Sequence, residues 1–224
     1  MTFGIDVVPS ERHAGHAASV IAEAIPRQGS LVLIGGTTAQ RIYPRLVEKK
    51  VAWDPLTALF SDERCVPPDH EASNFRMAQT LLLDKVGVPT VRRMQGEDDP
   101  DAAAARYHAD IGPDVDRGLD LLLLGMGEDC HIGALFPGSP ALDEWHELCR
   151  AVDRPDGMRG LTLTPPAMLA AKKILLLVTG TEKSDAVRRV IQSDEPVADC
   201  PARLLADHAD ATFLLDEQAA SRLT

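Results

Sequence analysis

Aromatic side chains are scarce in this 224-residue chain: Phe, Trp and Tyr together make up 4% of it. The core must therefore be aliphatic, and a hydrophobic content of 45% is enough to build one. Cysteine is sparse as well. Cys65, Cys130, Cys149 and Cys200 form no Cys-x-x-Cys pair and have no His at zinc-finger spacing, a usage that suits a reducing compartment. No apolar stretch approaches the roughly 18 residues of a membrane span. The segment Met1–Asp6 lacks a charged region followed by an apolar run, so no signal peptide is expected. Positive charge is also in deficit. The net charge of −11 argues against a broad basic face for nucleic acid. Any anion pocket has to be local, made from a few Arg or Lys side chains and backbone N–H groups. A soluble cytoplasmic protein is expected, with neither nucleic acid nor membrane as partner.

What is present alternates between strand and helix. Residues 11–25 read as a helix. Leu31–Ile34 is an aliphatic strand, followed by a helix carrying Ile42 and Leu46. Leu56–Ser61 is a second strand, and a polar, Pro-containing loop runs on through Asp69. Ser73 or Asn74 is placed to cap the next helix. Asp99-Pro100 reads as a cap followed by Pro at the first position of the helix 102–111. Leu119–Leu124 is the most apolar strand. Residues 143–160 read as irregular, with a short strand near 148–152. A strand at 161–164 precedes a helix opened by Pro165-Pro166. Ile174–Thr179 and Ala211–Leu215 are strands, with helices at 182–192 and 217–222. The alternation predicts one domain, residues 1–224, with an open, mostly parallel α/β sheet and helices on both faces. Ligands bind such sheets beyond the carboxyl ends of the strands, so four loops carry the interest.

Gly35-Gly36-Thr37-Thr38 joins a strand to a helix. Its glycines admit close backbone approach, and a helix N-terminus offers unpaired N–H groups to an anion. The same loop reads equally as a tight turn, and it is not a Walker motif. In Asp62-Glu63-Arg64, Arg64 is suited to clamp a phosphate or carboxylate, and Asp62 to orient a His or a substrate hydroxyl. As a triplet alone, a solvated loop is the plainer reading. Gly125-Met126-Gly127-Glu128-Asp129-Cys130-His131 begins like a dinucleotide fingerprint but has Cys130 at the third glycine, so NAD is rejected. His131 can accept a proton near neutral pH, although a lone His is more often structural. Cys130 adjoins it, but neighbours in sequence point apart and make a poor nucleophile–base pair. There is no Gly-x-Ser-x-Gly elbow. His13 and His16 read as surface residues, and the Asp98-Asp99 and 207–210 acidic groups as caps and solvated charge, leaving no metal site. Lys183, after Thr179-Gly180-Thr181-Glu182, is positioned to reach a phosphate. A lysine so near a helix N-terminus is electrostatically unfavourable unless an anion is present.

Taken in order, these loops resemble the 6-phosphogluconolactonase family over nearly the whole chain. The resemblance rests on Leu33–Thr38, on Phe60–Pro67 around Asp62-Glu63-Arg64, on Ser73-Asn74-Phe75-Arg76, on Leu124–Asp129 with His131 and Leu135–Ser139, on Leu161–Thr164 with Val178-Thr179-Gly180, and on Pro201–Leu205. It implies a Rossmann-like three-layer sandwich of the deaminase/isomerase type. The implied activity is hydrolysis of 6-phosphoglucono-1,5-lactone in the pentose phosphate pathway, with no cofactor. It also implies roles: His131 as general base, Arg64 and Gly35–Thr38 as holders of substrate, Lys183 on the phosphate and Asp62 as an orienting group. A monomer or weak homodimer is expected. The chain departs from the family's Gly-His-Thr-Ala-Ser pattern at Cys130, Ile132, Gly133 and Ala134. His131-Ile132-Gly133 is similar to the sister glucosamine-6-phosphate deaminases, whose Phe-Asn-Glu-Pro and Asp-Glu-Tyr segments are absent here. An amino-sugar deaminase/isomerase and a non-catalytic sugar-phosphate-binding homologue are the alternatives. If position 130 needs a left-handed backbone, Cys costs about 1–2 kcal/mol relative to Gly.

Overall fold

A computed structural model describes residues 3–224; Met1 and Thr2, part of the N-terminal segment read above, lie outside the described residues. Seven strands form one parallel sheet: β1 (Gly4–Val8), β2 (Gly29–Leu33), β3 (Leu56–Phe60), β5 (Thr90–Val91), β6 (Leu121–Leu124), β9 (Ile174–Val178) and β10 (Ala211–Asp216). Their order is β1-β10-β9-β6-β2-β3-β5, and every pairing among them is parallel. A second, antiparallel sheet joins β4 (Asp62–Arg64), β8 (Arg159–Leu163) and β7 (Cys149–Asp153), in the order β4-β8-β7.

The all-leucine strand β6 occupies the middle of the large sheet. Side chains alternate across a strand, so each face needs its own apolar cover. Leu122 and Leu124 join one buried cluster, with Ile174, Leu176, Phe213 and Leu215. Leu121 and Leu123 join the other, with Leu31, Leu33, Leu175 and Leu177. This is why the central strands read as continuous apolar runs rather than as alternating ones. Helices α1 (His13–Ala24), α2 (Gly36–Val47) and α3 (Asn74–Ala78) bury side chains in the second cluster. Helix α3 runs on through a π-helical turn at 79–83 into α4 (Asp84–Val86). Helices α5 (Pro100–Asp116), α6 (Pro165–Leu169) and α7 (Ser184–Gln192) bury side chains in the first.

The caps behave as their residue types demand. The Ser73 side chain accepts from the Arg76 N–H, and that of Asp99 from the Ala102 N–H with Pro100 at the first helical position.

Several expectations need correction. β1 was not expected; it is an edge strand whose Ile5 and Val7 point outward, 46% and 45% exposed, so burial leaves no alternation to read. Asp62-Glu63-Arg64 is a strand rather than a solvated loop, with Asp62 and Glu63 buried. Residues 143–160 are less irregular than they read, because the Pro155–Gly157 stretch is the turn of the β7–β8 hairpin. His13 is not a surface residue: it is buried, its Nε2 2.9 Å from the Leu214 carbonyl. Residues 217–222 form turns instead of a helix. Asp216 Oδ1 accepts the Ala219 N–H and the Asp216 carbonyl accepts that of Ala220, so these residues fold as successive turns.

Topology fixes where chemistry can collect. From β2 the chain winds outward to β3 and β5; from β6 it winds the other way to β9 and β10. β2 and β6 therefore flank the switch point, where adjacent loops part and leave a crevice. The only two tyrosines close strand ends beside it. The Tyr43 hydroxyl of α2 accepts from the Ile34 N–H (3.0 Å) and donates to the Ile34 carbonyl (2.7 Å). The Tyr107 hydroxyl of α5 does the same at Phe60, at 2.8 and 3.0 Å. Both rings are fully buried, and burial pushes both phenols well above their ordinary pKa. Tyr107→Phe strands a buried N–H and C=O together, so chemical denaturation is expected to show a loss of about 1–3 kcal/mol. A variant as stable as the parent would contradict this account of the β3 end.

Candidate active site

Beyond the carboxyl ends of β2, β3, β6 and β9 lies a cavity of about 190 Å³. All eight residues singled out from the sequence line it: Gly35, Gly36, Thr37 and Thr38, with Asp62, Arg64, His131 and Lys183. Asn74, Gly127, Arg154 and Thr179 line it too and were not assigned a role in the site.

The β2 loop ends at α2, with Gly35 as its N-cap and Gly36 at φ 88°. The Thr38 and Thr179 hydroxyls meet at 3.2 Å, tying this loop to the one after β9. The N–H groups of the first turn of α2 and these hydroxyls face the same space, an arrangement suited to an anion. Lys183 reaches the cavity from a 3₁₀ turn at 181–183, its Nζ 3.9 Å from Glu128 Oε1. Arg154 enters from the β7–β8 turn; its guanidinium lies 5.5 Å over the Phe136 ring and pairs with Asp156 at 3.0 Å. Because it sits in the stretch read as irregular, periodicity gave no signal for it.

The β6 loop carries His131. Its Nδ1 lies 2.6 Å from Asp129 Oδ1. A carboxylate only accepts, so in the neutral imidazole Nδ1 holds the proton and Nε2 keeps its lone pair. The orienting partner of His131 is thus Asp129, two residues away, and not Asp62. Burial by itself would raise the Asp129 carboxyl; the His131 hydrogen bonds and charge outweigh it and hold the group below its ordinary value. The Phe136 ring backs the imidazole, centroid to centroid 4.5 Å. Gly127 is needed for space: a side-chain carbon there would collide with His131 Nδ1 and Asp129 Oδ1. Its N–H donates to the His131 carbonyl at 2.9 Å and its carbonyl accepts from Cys130 at 3.1 Å, closing the loop on itself.

Cys130 is the one non-glycine residue with positive φ among the described residues, at 70°. The turn that presents His131 therefore does run through the left-handed region. The thiol is fully buried, 3.8 Å from the Ala186 carbonyl. It points into the core, away from the cavity, which leaves it no place as a nucleophile. The Ala134 N–H, which follows the bend, donates to Thr162 Oγ1 at 3.0 Å.

Asp62 and Arg64 leave β4 on the cavity side. Asp62 accepts from Ser61 Oγ at 2.9 Å and from Asn74 Nδ2 at 3.1 Å. Arg64 Nη1 donates to Asn74 Oδ1 and, at 3.4 Å, to the Ala72 carbonyl. Its buried Nε has no protein partner among the described residues. A buried unpaired N–H is costly, and a group that accepts from it, such as a carbonyl or an oxyanion, would remove that cost. Together the cavity brings an imidazole held by a carboxylate, three cationic side chains and a glycine-threonine loop at a helix start to one place.

Comparison with known proteins places this arrangement. Residues 10–214 match the family described as glucosamine-6-phosphate isomerases/6-phosphogluconolactonase. The chain is 33% identical to a 6-phosphogluconolactonase of Synechocystis sp. over 205 residues, covering 88% of this chain and 85% of that one. It is 34% identical to the 6-phosphogluconolactonase of Mycobacterium tuberculosis over 219 residues, covering 90% and 88%. Among solved structures, the 6-phosphogluconolactonase from Trypanosoma cruzi superposes with a TM-score of 0.89 at 28% identity, covering 100% and 97% of the two chains. A monomeric glucosamine-6-phosphate deaminase superposes at 0.88 with 24% identity, covering 98% and 99%, a likeness of fold alone.

The left-handed turn makes a stability prediction. Cys130→Gly is expected to be more stable than Cys130→Ala by about 1–2 kcal/mol, because both lose the sulfur and only Ala keeps the steric penalty. Equal stability of the two variants in denaturant would show that position 130 carries no such strain.

Proposed function

The chain belongs to the glucosamine-6-phosphate isomerase/6-phosphogluconolactonase family, and from that premise we propose that it hydrolyses 6-phospho-D-glucono-1,5-lactone to 6-phospho-D-gluconate with His131 as general base. The activity is the one its relatives are named for, and its place is the pentose phosphate pathway. The observation that carries the mechanism is the Asp129–His131 contact of 2.6 Å, which leaves Nε2 facing a cavity bordered by Arg64 and Lys183.

The reaction needs little else. His131 Nε2 takes a proton from a water as that water attacks the lactone carbonyl carbon. Charge builds on the carbonyl oxygen, and the Arg64 guanidinium, which lines the cavity, is the donor suited to receive it. The tetrahedral centre then expels the ring oxygen, and the proton held on His131 passes to that oxygen. Water is consumed, one C–O bond forms and one breaks, and the imidazole ends neutral. Asp129 keeps the imidazole in the right tautomer and stabilises its charged form. Asp62 orients Asn74 and the substrate hydroxyls. The phosphate is anchored by the Gly35–Thr38 loop and Lys183, with Arg154 as a further cation. This anchor holds the carbonyl near the base, and such positioning supplies much of the rate.

The same reading treats residues 1–224 as a single domain, because both sheets contribute walls to one cavity. It needs no cofactor, metal, nucleic acid or membrane, and takes a monomer or weak homodimer as the working unit. Among the described residues no helix is long and apolar enough to cross a membrane. A cytoplasmic setting agrees with four free cysteines. The amino-sugar alternative rests on His131-Ile132-Gly133; Asp62-Glu63-Arg64 and Ala134-Leu135-Phe136-Pro137 keep the lactonase reading ahead of it.

The test is turnover of fresh lactone, corrected for spontaneous opening. The wild type is expected to exceed the spontaneous rate. His131→Ala is expected to fall to it, and Asp129→Asn to lose about 10²-fold or more of kcat. Full activity in His131→Ala would remove the proposed base, and release of ammonia from glucosamine 6-phosphate without lactone turnover would favour the deaminase reading.

A further inference from the structure

Glu63 lies outside the cavity lining and is buried to 3% exposure. Its carboxylate is saturated with donors. Oε1 accepts the Arg64 N–H at 2.8 Å and the Asn74 N–H at 2.7 Å; Oε2 accepts Ser73 Oγ at 2.9 Å and the Phe75 N–H at 2.8 Å. All four donors are uncharged, and among the described residues no salt bridge involves it. Burial of a carboxylate costs several kcal/mol before such bonds offset it, and here burial still leaves the group above its ordinary pKa despite the four donors. It also caps α3 together with Ser73: the carboxylate takes the Asn74 and Phe75 N–H groups and the Ser73 side chain takes that of Arg76.

What the carboxylate does accomplish is to fix Asn74, which follows directly from the bond to its N–H. The Asn74 amide touches three parts of the site at once. Its Nδ2 donates to the Asp62 carbonyl at 2.8 Å and to Asp62 Oδ2 at 3.1 Å, and its Oδ1 accepts from Arg64 Nη1. It also lies against Gly35, where any side-chain carbon would collide with it. The partners fix which amide atom is which: the NH₂ faces two oxygens and the carbonyl faces a guanidinium.

We propose that Glu63 and Asn74 are positioning residues: Glu63 sets the backbone of Asn74, and the Asn74 amide sets Arg64 and Asp62 in register with the Gly35 loop. Arg64 spends Nη1 on this amide and the Ala72 carbonyl, and the network thereby fixes how the guanidinium lines the cavity. The inference rests on the lactonase reading for its assay but concerns the wiring beneath it.

A double-mutant cycle separates positioning from simple structural support, because residues acting through one another are non-additive. Asn74→Ala is expected to lower kcat/KM by about 10- to 100-fold, the scale of a misplaced catalytic group. In an Arg64→Ala background the same substitution is expected to lower kcat/KM several-fold less than in the wild type, since the Arg64 part of what it positions is gone and only Asp62 remains. Glu63→Gln should follow the same pattern, and if that variant fails to fold, the Asn74 cycle stands without it. Equal losses in both backgrounds would overturn the proposal, as a direct substrate contact or a general folding defect predicts. If the wild type turns over no lactone, the lactonase reading fails, and the cycle is read instead on the calorimetric affinity for 6-phosphogluconate with the same criterion. Absence of binding as well would overturn the positioning role too.

Discussion

Two tyrosine hydroxyls tie off the ends of β2 and β3, and the loops that carry the chemistry begin where those bonds end. A parallel strand that stops leaves a backbone N–H and C=O without a ladder partner, and burying them unpaired is expensive. Tyr43 and Tyr107 each satisfy one such pair with a single oxygen. The chain is then free to turn sharply at Gly35 and at Ser61 without exposing its core to water. In a protein with so few aromatic residues, both tyrosines are spent on this task. The site depends on it, since Gly35–Thr38 and Asp62–Arg64 are the two segments released at these points.

The third segment is held by strain as well as by hydrogen bonds. The bend at Cys130 turns the chain so that His131 looks into the crevice while the residue before it faces the core. A glycine would make that bend without penalty. The cysteine makes it at a cost and recovers part of that cost by filling the space beside Ala186 and Cys200. The departures at Ile132 and Ala134 have a matching account. Ile132 and Ala134 are fully buried, and the hydroxyl that steadies the loop comes from Thr162 across on β8. His131 is therefore presented by a loop whose sequence differs from its family's pattern while its geometry keeps the Asp129–His131 pair.

Much of this was legible in the amino-acid order, for physical reasons. Long aliphatic strands such as Leu121–Leu124 and Ile174–Val178 admit one solution, burial on both faces. Ser73 and Asp99 cap helices because their short side chains reach the exposed N–H groups. The eight candidate residues converge because a doubly wound sheet collects its loops at one end. The rest needed three dimensions. Glu63 reads as a surface charge until the α3 N-terminus is seen folding onto it. Arg154 sits in a hairpin turn with no periodic signal. Of the two roles read for Asp62, orienting a His or a substrate hydroxyl, the contact with His131 is made by Asp129, because the β6 loop doubles back through Gly127. β1 hides because its apolar side chains face outward, and His13 because its partner is a carbonyl 201 residues away in sequence.

The central claim is that one crevice brings His131 and Arg64 to bear on the same sugar phosphate. It is tested most directly by ¹⁵N NMR of the arginine Nε–H and histidine ring signals during titration with 6-phosphogluconate, the expected product. The account predicts that the Arg64 Nε–H and His131 resonances shift together along one saturable binding curve, because a ligand in the cavity meets both side chains. Saturable binding that leaves both signals unmoved would contradict it.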